Sequence, residues 1–199
     1  MLAVDTVPSR LEMARAQGAE VIDFNAEHPS AAVQRLTGGI GADRAIDSVG
    51  VDAVMPEHGA AAVLNKAQKK QYESELSSIA PEADPNASEW RSGNTPSIVF
   101  SWAVEALAKA GTFSIAGVYP PTFQSFPIGA AMNRNLTVRM GNCNHRRYVP
   151  ELIGLVRTNA IDPEKVISQR EPLTFALDAY KAFDERRPGW IKIKLDPAS

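Results

Sequence analysis

The chain has 199 residues, 44% hydrophobic and 22% charged, with a formal net charge of -2. That balance suits one globular domain, with or without appendages, and supplies no basic surface for nucleic acid. No apolar run approaches the roughly 20 residues of a membrane span, and no signal-peptide pattern is evident. The single cysteine, Cys143, excludes an intrachain disulfide and fits a reducing cytoplasm.

In chain order, residues 2–4 read as a short buried strand that ends at the first charge, Asp5. Pro8 opens a helix through residue 17, because its missing N–H has no intrahelical partner in a first turn. Gly18 stops that helix. Residues 19–24 form the next strand. Ser30 is positioned to cap a helix that runs to Leu36 and ends at Gly38 and Gly39. Another strand lies at the centre of residues 41–50. This β-α-β-α-β alternation of short apolar strands predicts a parallel sheet with helices on both faces.

The rhythm breaks at Val51. Residues 53–96 are longer than an ordinary connection and read as an insertion, with an exposed helix over 58–79 and a loop over 80–89. Too few large apolar residues occur there for a separate core. The run of Lys66, Lys69 and Lys70 predicts a solvated helix face. Residues 97–110 resume the pattern: Ile98, Val99, Trp102, Ala106 and Leu107 recur at helical spacing, and Gly111 is the expected stop. A strand follows over 112–118, where Gly117 allows close approach to the backbone. Pro120 and Pro121 force a turn. Residues 136–141 form a strand, and Pro150 is expected to start a helix through Val156. A second helix over 174–185 should turn Ala176, Leu177, Tyr180 and Phe183 to the core. A last strand over 190–195 carries Lys192.

In dinucleotide-binding folds the second parallel strand ends in an acid that receives the adenosine ribose hydroxyls and disfavours a 2′-phosphate. Asp5 has that placement. The companion Gly-x-Gly-x-x-Gly turn belongs roughly 20 residues upstream. The expectation is therefore an α/β chain with an incomplete Rossmann-like doubly wound sheet. It lacks the first strand and the glycine-rich turn, and it ends in a helical tail and a final strand. The expected divisions are a partial NAD-binding domain over residues 1–145, with 53–96 inserted, and C-terminal helices with a closing strand over 146–199. The vacancy of a whole strand should leave a gap between residues 2–4 and 45–48.

Four features in this order make up a pattern: the strand ending Val4-Asp5, the segment AIDSVG ending at Gly50, the segment AGVYPP ending at Pro121, and the tail with its lysine-bearing strand. Together they resemble the C-terminal portion of medium-chain, zinc-dependent alcohol dehydrogenases, closest to the branch holding glutathione-independent formaldehyde dehydrogenase. The resemblance covers nearly the whole chain outside residues 53–96. It implies that Asp5 binds the ribose and marks NAD over NADP, and that Arg10 lies near the adenosine. It implies that Ser48, Val49 and Gly50 form a strand end beside the cofactor. Ala116, Gly117 and Val118 would hold the nicotinamide carboxamide through their backbone, and Met140 and Gly141 would lie near the nicotinamide. Lys192 would reach the pyrophosphate. By itself Asp5 also fits an ordinary strand-end acid, and Lys192, between Ile191 and Ile193, also fits a solvated strand face.

The family's zinc ligands have no counterpart here, so no catalytic or metal residue is assigned. Cys143 and His145 offer two ligands where a zinc site wants three or four. Arg146 and Arg147 read as an ordinary charged helix start. The expected parent reaction is zinc-assisted hydride transfer between NAD and a small alcohol or hydrated aldehyde, with this chain inactive by itself. The alternative is a non-catalytic nucleotide-binding or oligomerisation module from a truncated gene. Relatives pair through a sheet edge, which here predicts a homo-oligomer joined through residues 121–136, with Phe123, Phe126 and Ile128 as apolar surface.

Overall fold

The computed structural model describes residues 1–79 and 92–197. The loop expected over residues 80–89 lies outside them. The described chain is α/β and divides into two compact units, Met1–Val21 with Cys143–Ser199, and Ile22–Asn142. No helix of the described residues is long and apolar enough to cross a membrane.

The unit Ile22–Asn142 is built on a three-stranded parallel ladder, β3 (Ala42–Asp47), β4 (Leu107–Ile115) and β5 (Thr137–Met140), with β4 central. Helices α2 (Pro29–Leu36) and α4 (Ile98–Ala106) pack on each other, and α4 packs on β3 and β4. The core behind the ladder is aromatic. Phe100 lies 4.7 Å from Tyr119, 5.3 Å from Phe126 and 5.9 Å from Phe113, measured between ring centroids. Edge-to-face and tilted pairs of this kind add to the burial of large rings.

Several expectations about this unit are corrected. Gly111 does not end a helix. The chain leaves α4 at Ala106, and Leu107 already pairs with Ala42; pairing resumes at Thr112 with Arg44. The residues between bulge out, and Ala110 there takes a left-handed φ of 62° while its N–H donates to the Arg134 carbonyl at 2.9 Å. Ser30 does not cap α2. It sits buried in the first turn, and its hydroxyl donates to Glu105 at 2.8 Å. The inserted helix, α3 (Lys66–Ile79), starts later than expected, after a short 3-10 turn at Ala60–Ala62. Lys66, Lys69 and Lys70 are exposed, as the charge run predicts. Its other face is not independent of the rest: Tyr72 packs with Ala53 and Ile98, against Leu64, Val99 and Trp102. Glu75, also buried, accepts from the Ser97 hydroxyl at 2.7 Å and the Ser97 N–H at 3.2 Å, just before α4. Residues 121–136 hold no strand. They carry α5 (Ile128–Asn133), and Phe123 and Phe126 pack into the aromatic core.

The unit made of Met1–Val21 and Cys143–Ser199 contains β1 (Leu2–Asp5), which hydrogen-bonds to β2 (Glu20–Asp23), and α1 (Pro8–Ala16), which packs on β1. Proline occupies the first turn of α1, as expected. Helix α6 (His145–Arg157) begins five residues before Pro150, because Asn144 caps it: the Asn144 side chain accepts from the Arg147 N–H at 3.2 Å. A parallel pair, β6 (Gln169–Pro172) and β7 (Ile193–Asp196), closes the unit. β6 was not expected. Helix α7 (Ala176–Asp184) buries Ala179 and Ala182, not the large residues. Leu177 is 78% and Tyr180 74% exposed. The three ladders are separate, and β1 and β3 belong to different ones.

Candidate functional site

Strands β3 and β4 run parallel and end side by side, with Asp47 opposite Ile115. Ligands of open parallel sheets bind outside such carboxyl ends. The two loops that leave these ends are locked together. The Asp47 carbonyl accepts the N–H groups of Ala116 and Gly117 at 2.8 and 3.0 Å, and the Val51 N–H donates to the Val118 carbonyl at 3.1 Å. Ser48, Val49 and Gly50 are thus brought against Ala116, Gly117 and Val118.

Two glycines make that approach possible. Gly50 has φ 69°, and a Cβ there would lie 2.5 Å from the Val118 nitrogen. A Cβ on Gly117 would lie 2.3 Å from the Gly50 nitrogen and 2.8 Å from Asp47 Oδ2. The room at Gly117 is therefore taken by the protein's own backbone and not left open to a ligand. The outward side of the pair presents Val49, and Val118 at 75% exposure. Met140, 70% exposed, ends β5 opposite Ile115, and Gly141 follows it.

Asp47, which sequence reasoning passed over, holds this corner. Its side chain is 1% exposed. Oδ1 accepts the N–H groups of Val49 at 2.8 Å and Gly50 at 3.2 Å, and Oδ2 accepts the Tyr119 hydroxyl at 2.8 Å. Burial, then the charge and hydrogen bond of Asp47, push the Tyr119 phenol far above its usual range. The signal was present in the sequence: an acid inside an apolar strand just before Ser-Val-Gly, and a tyrosine just before Pro-Pro.

The remaining expected residues belong to the other unit. Asp5 Oδ1 accepts the N–H groups of Thr6 at 2.7 Å and Val7 at 2.9 Å, which turns the chain into α1. Asp5 Oδ2 lies 3.7 Å from the Arg10 guanidinium. Asp5 and Arg10 are therefore together, and Oδ2 keeps acceptor capacity. The backbone of Lys192 binds Ser168, and its side chain is exposed.

A cleft of about 610 Å³ lined by Gln34, Ile40, Glu105, Lys109 and Arg134 lies instead at the opposite, amino ends of β3 and β4. No strand-end loop reaches it, so it is not the site described above.

A metal fits the described residues poorly. Among the described residues no three His, Cys, Asp or Glu side chains converge to hold an ion. Cys143 is exposed and precedes the cap of α6. The braced loops lie at the carboxyl edge of two adjacent parallel strands, where open parallel sheets take their ligands.

No protein-family model matches the chain. Over 99% of its length it is 32% identical to an uncharacterised zinc-type alcohol dehydrogenase-like protein, AdhB, of Bacillus subtilis, of which it covers 46%. It is 25% identical to a zinc-type alcohol dehydrogenase-like protein of Schizosaccharomyces pombe, covering 98% of this chain and 41% of that one. Among solved structures, alcohol dehydrogenase TADH from Thermus sp. ATN1 superposes with a TM-score of 0.66 at 25% identity, over 98% of this chain and 42% of that one. The chain spans less than half the length of these relatives. Within that span it has the Rossmann-like α/β fold of alcohol dehydrogenases and is similar in sequence to their zinc-type, medium-chain kind.

Proposed function

We propose that this chain is the cofactor-binding portion of an NAD-dependent oxidoreductase acting on a small alcohol or hydrated aldehyde. The observation that carries the reading is the braced pair of loops, 48–50 and 116–118, at the carboxyl ends of two adjacent parallel strands. Residues 1–145 would form the partial NAD-binding domain, with 53–96 inserted, and residues 146–199 its helical tail. When bound, the nicotinamide supplies the hydride chemistry. The chain's own residues bind and orient. Asp5 Oδ2 receives the ribose hydroxyls beside Arg10. The exposed faces of Val49, Val118 and Met140 flank the nicotinamide ring, and the backbone of residues 116–118 holds its carboxamide. Gly141 leaves the ring edge open, and Lys192 meets the pyrophosphate.

No step is assigned to zinc, which belongs to the complete parent enzyme, because the residues present do not fit it. This chain should therefore bind NAD without turning over alcohol. The narrower activity, oxidation of hydrated formaldehyde as in the glutathione-independent branch, belongs to the same proposal. The assay uses the pure chain with NAD, added zinc, and either a small primary alcohol or formaldehyde. The expected outcome is no NADH formation. Zinc-dependent turnover would contradict inactivity, and absence of NADH binding would contradict the cofactor assignment.

The open edge of β5 supports a second reading, an oligomerisation module. Among the described residues β5 pairs on one side only. An unpaired strand edge is a template for a second copy. We place the homo-oligomer contact there, not on residues 121–136.

A further inference from the structure

We propose that Asp47, acting with Tyr119, is a positioning residue for the nicotinamide half of the cofactor; this rests on the NAD reading given above. The carboxylate is too deeply buried to touch a ligand, so it acts through the loops it ties. Three donors converge on it: two N–H groups from the loop after β3 and one hydroxyl from the loop after β4. Among the described residues no basic side chain pairs with it, so hydrogen bonds alone compensate its buried charge. Bonds to an ionised acceptor are about twice as strong as neutral ones. That makes Asp47 a side-chain anchor between two loops that backbone hydrogen bonds already hold together.

The tie has a defined geometry. Asp47 Oδ2 lies 2.8 Å from where a Cβ of Gly117 would be, and the Gly50 nitrogen 2.3 Å, so the carboxylate, Gly117 and Gly50 pack tightly. Tyr119 is held in turn by the aromatic core, against Phe100 and Phe123. The position of the 116–118 backbone is therefore set from the core through Tyr119 and Asp47. The adenosine half, assigned to Asp5 and Arg10, uses no part of this tie.

That division supplies the test. Calorimetry on the full chain compares NADH with ADP-ribose, which keeps the adenosine and pyrophosphate but lacks nicotinamide. The variants are Tyr119→Phe, which removes one donor, and Asp47→Asn, which keeps the shape. Tyr119→Phe should weaken NADH about tenfold, the cost of one hydrogen bond, and leave ADP-ribose within about twofold. Asp47→Asn should shift the same ratio in the same direction. If both ligands weaken together, or neither does, the positioning role is overturned while the NAD reading stands. If the unmodified chain binds ADP-ribose but not NADH, or binds neither, the NAD reading itself fails, and the positioning role with it.

Discussion

Asp47 Oδ2 accepts the Tyr119 hydroxyl at 2.8 Å, across two loops separated by 72 positions in sequence. Asp47 is buried and Tyr119 half-buried, and each satisfies the other. Removing the donor leaves a buried carboxylate oxygen without its partner. Tyr119→Phe should therefore destabilise the chain by about 1.5–3 kcal/mol, the range for a hydrogen bond to a charged group. Urea unfolding followed by tryptophan fluorescence measures this. A change under about 0.5 kcal/mol would mean that the bond does not form in solution.

Two tyrosines make stability sensitive to base. Burial first, then Glu75, pushes the Tyr72 phenol up to about 12. Tyr119 is raised further, by burial first and then by Asp47. Folding favours the neutral phenol at both sites. Their contribution is complete below the unfolded value of about 10 and is lost as pH rises from there through 12. Denaturation midpoints measured from pH 8 to pH 12 should fall steeply above pH 10. In Tyr119→Phe the fall should be shallower. Identical slopes for the two proteins would contradict the assignment to Tyr119.

Much of this was legible in the sequence, and the failures have physical causes. Short apolar runs, prolines and breaking glycines located β1, β3 and β5 and helices α1, α2 and α4, while α5 was missed. Helix α7 was misread because Leu177, Tyr180 and Phe183 recur at helical spacing, which is how a core face looks. The structure buries Ala179 and Ala182 instead, since small residues let a helix approach closely. The change from helix to strand at Ala106–Leu107 carries no composition signal, because Leu107 suits both. Within the site, the loop at 116–118 was read from Gly117 and the family resemblance, and the loop at 48–50 from the resemblance alone. Asp47 was missed because a buried acid is recognised only by the donors that reach it, and Tyr119 comes from far along the chain.

Gly117→Ala should be among the most damaging small substitutions. Its new methyl would meet the Gly50 backbone at 2.3 Å, where no flexible side chain can yield. A loss of about 3 kcal/mol is expected from overpacking alone. Gly129→Ala is the control, because nothing lies within 4 Å of a Cβ there. Comparable melting temperatures for the two variants would contradict the packing.

Phe126→Asp separates the core from an oligomer surface. Phe126 lies 5.3 Å from Phe100 between centroids, so the substitution places a charge in the aromatic core. The expected cost is at least the ~3–5 kcal/mol of a Phe truncation. Near-ultraviolet circular dichroism should lose its aromatic signal. A folded, monomeric Phe126→Asp protein by light scattering would instead restore residues 121–136 as the interface.

NAD should bind this chain with Asp5 at the ribose. Calorimetry of NADH and NADPH against the unmodified chain and Asp5→Ala tests it most directly. A 2′-phosphate would face the Asp5 carboxylate, whose Oδ1 is committed to Thr6 and Val7 and cannot turn away. NADH should bind about tenfold or more tightly than NADPH, and Asp5→Ala should narrow that gap. Equal or tighter binding of NADPH to the unmodified chain, or a gap unchanged by Asp5→Ala, would contradict the account.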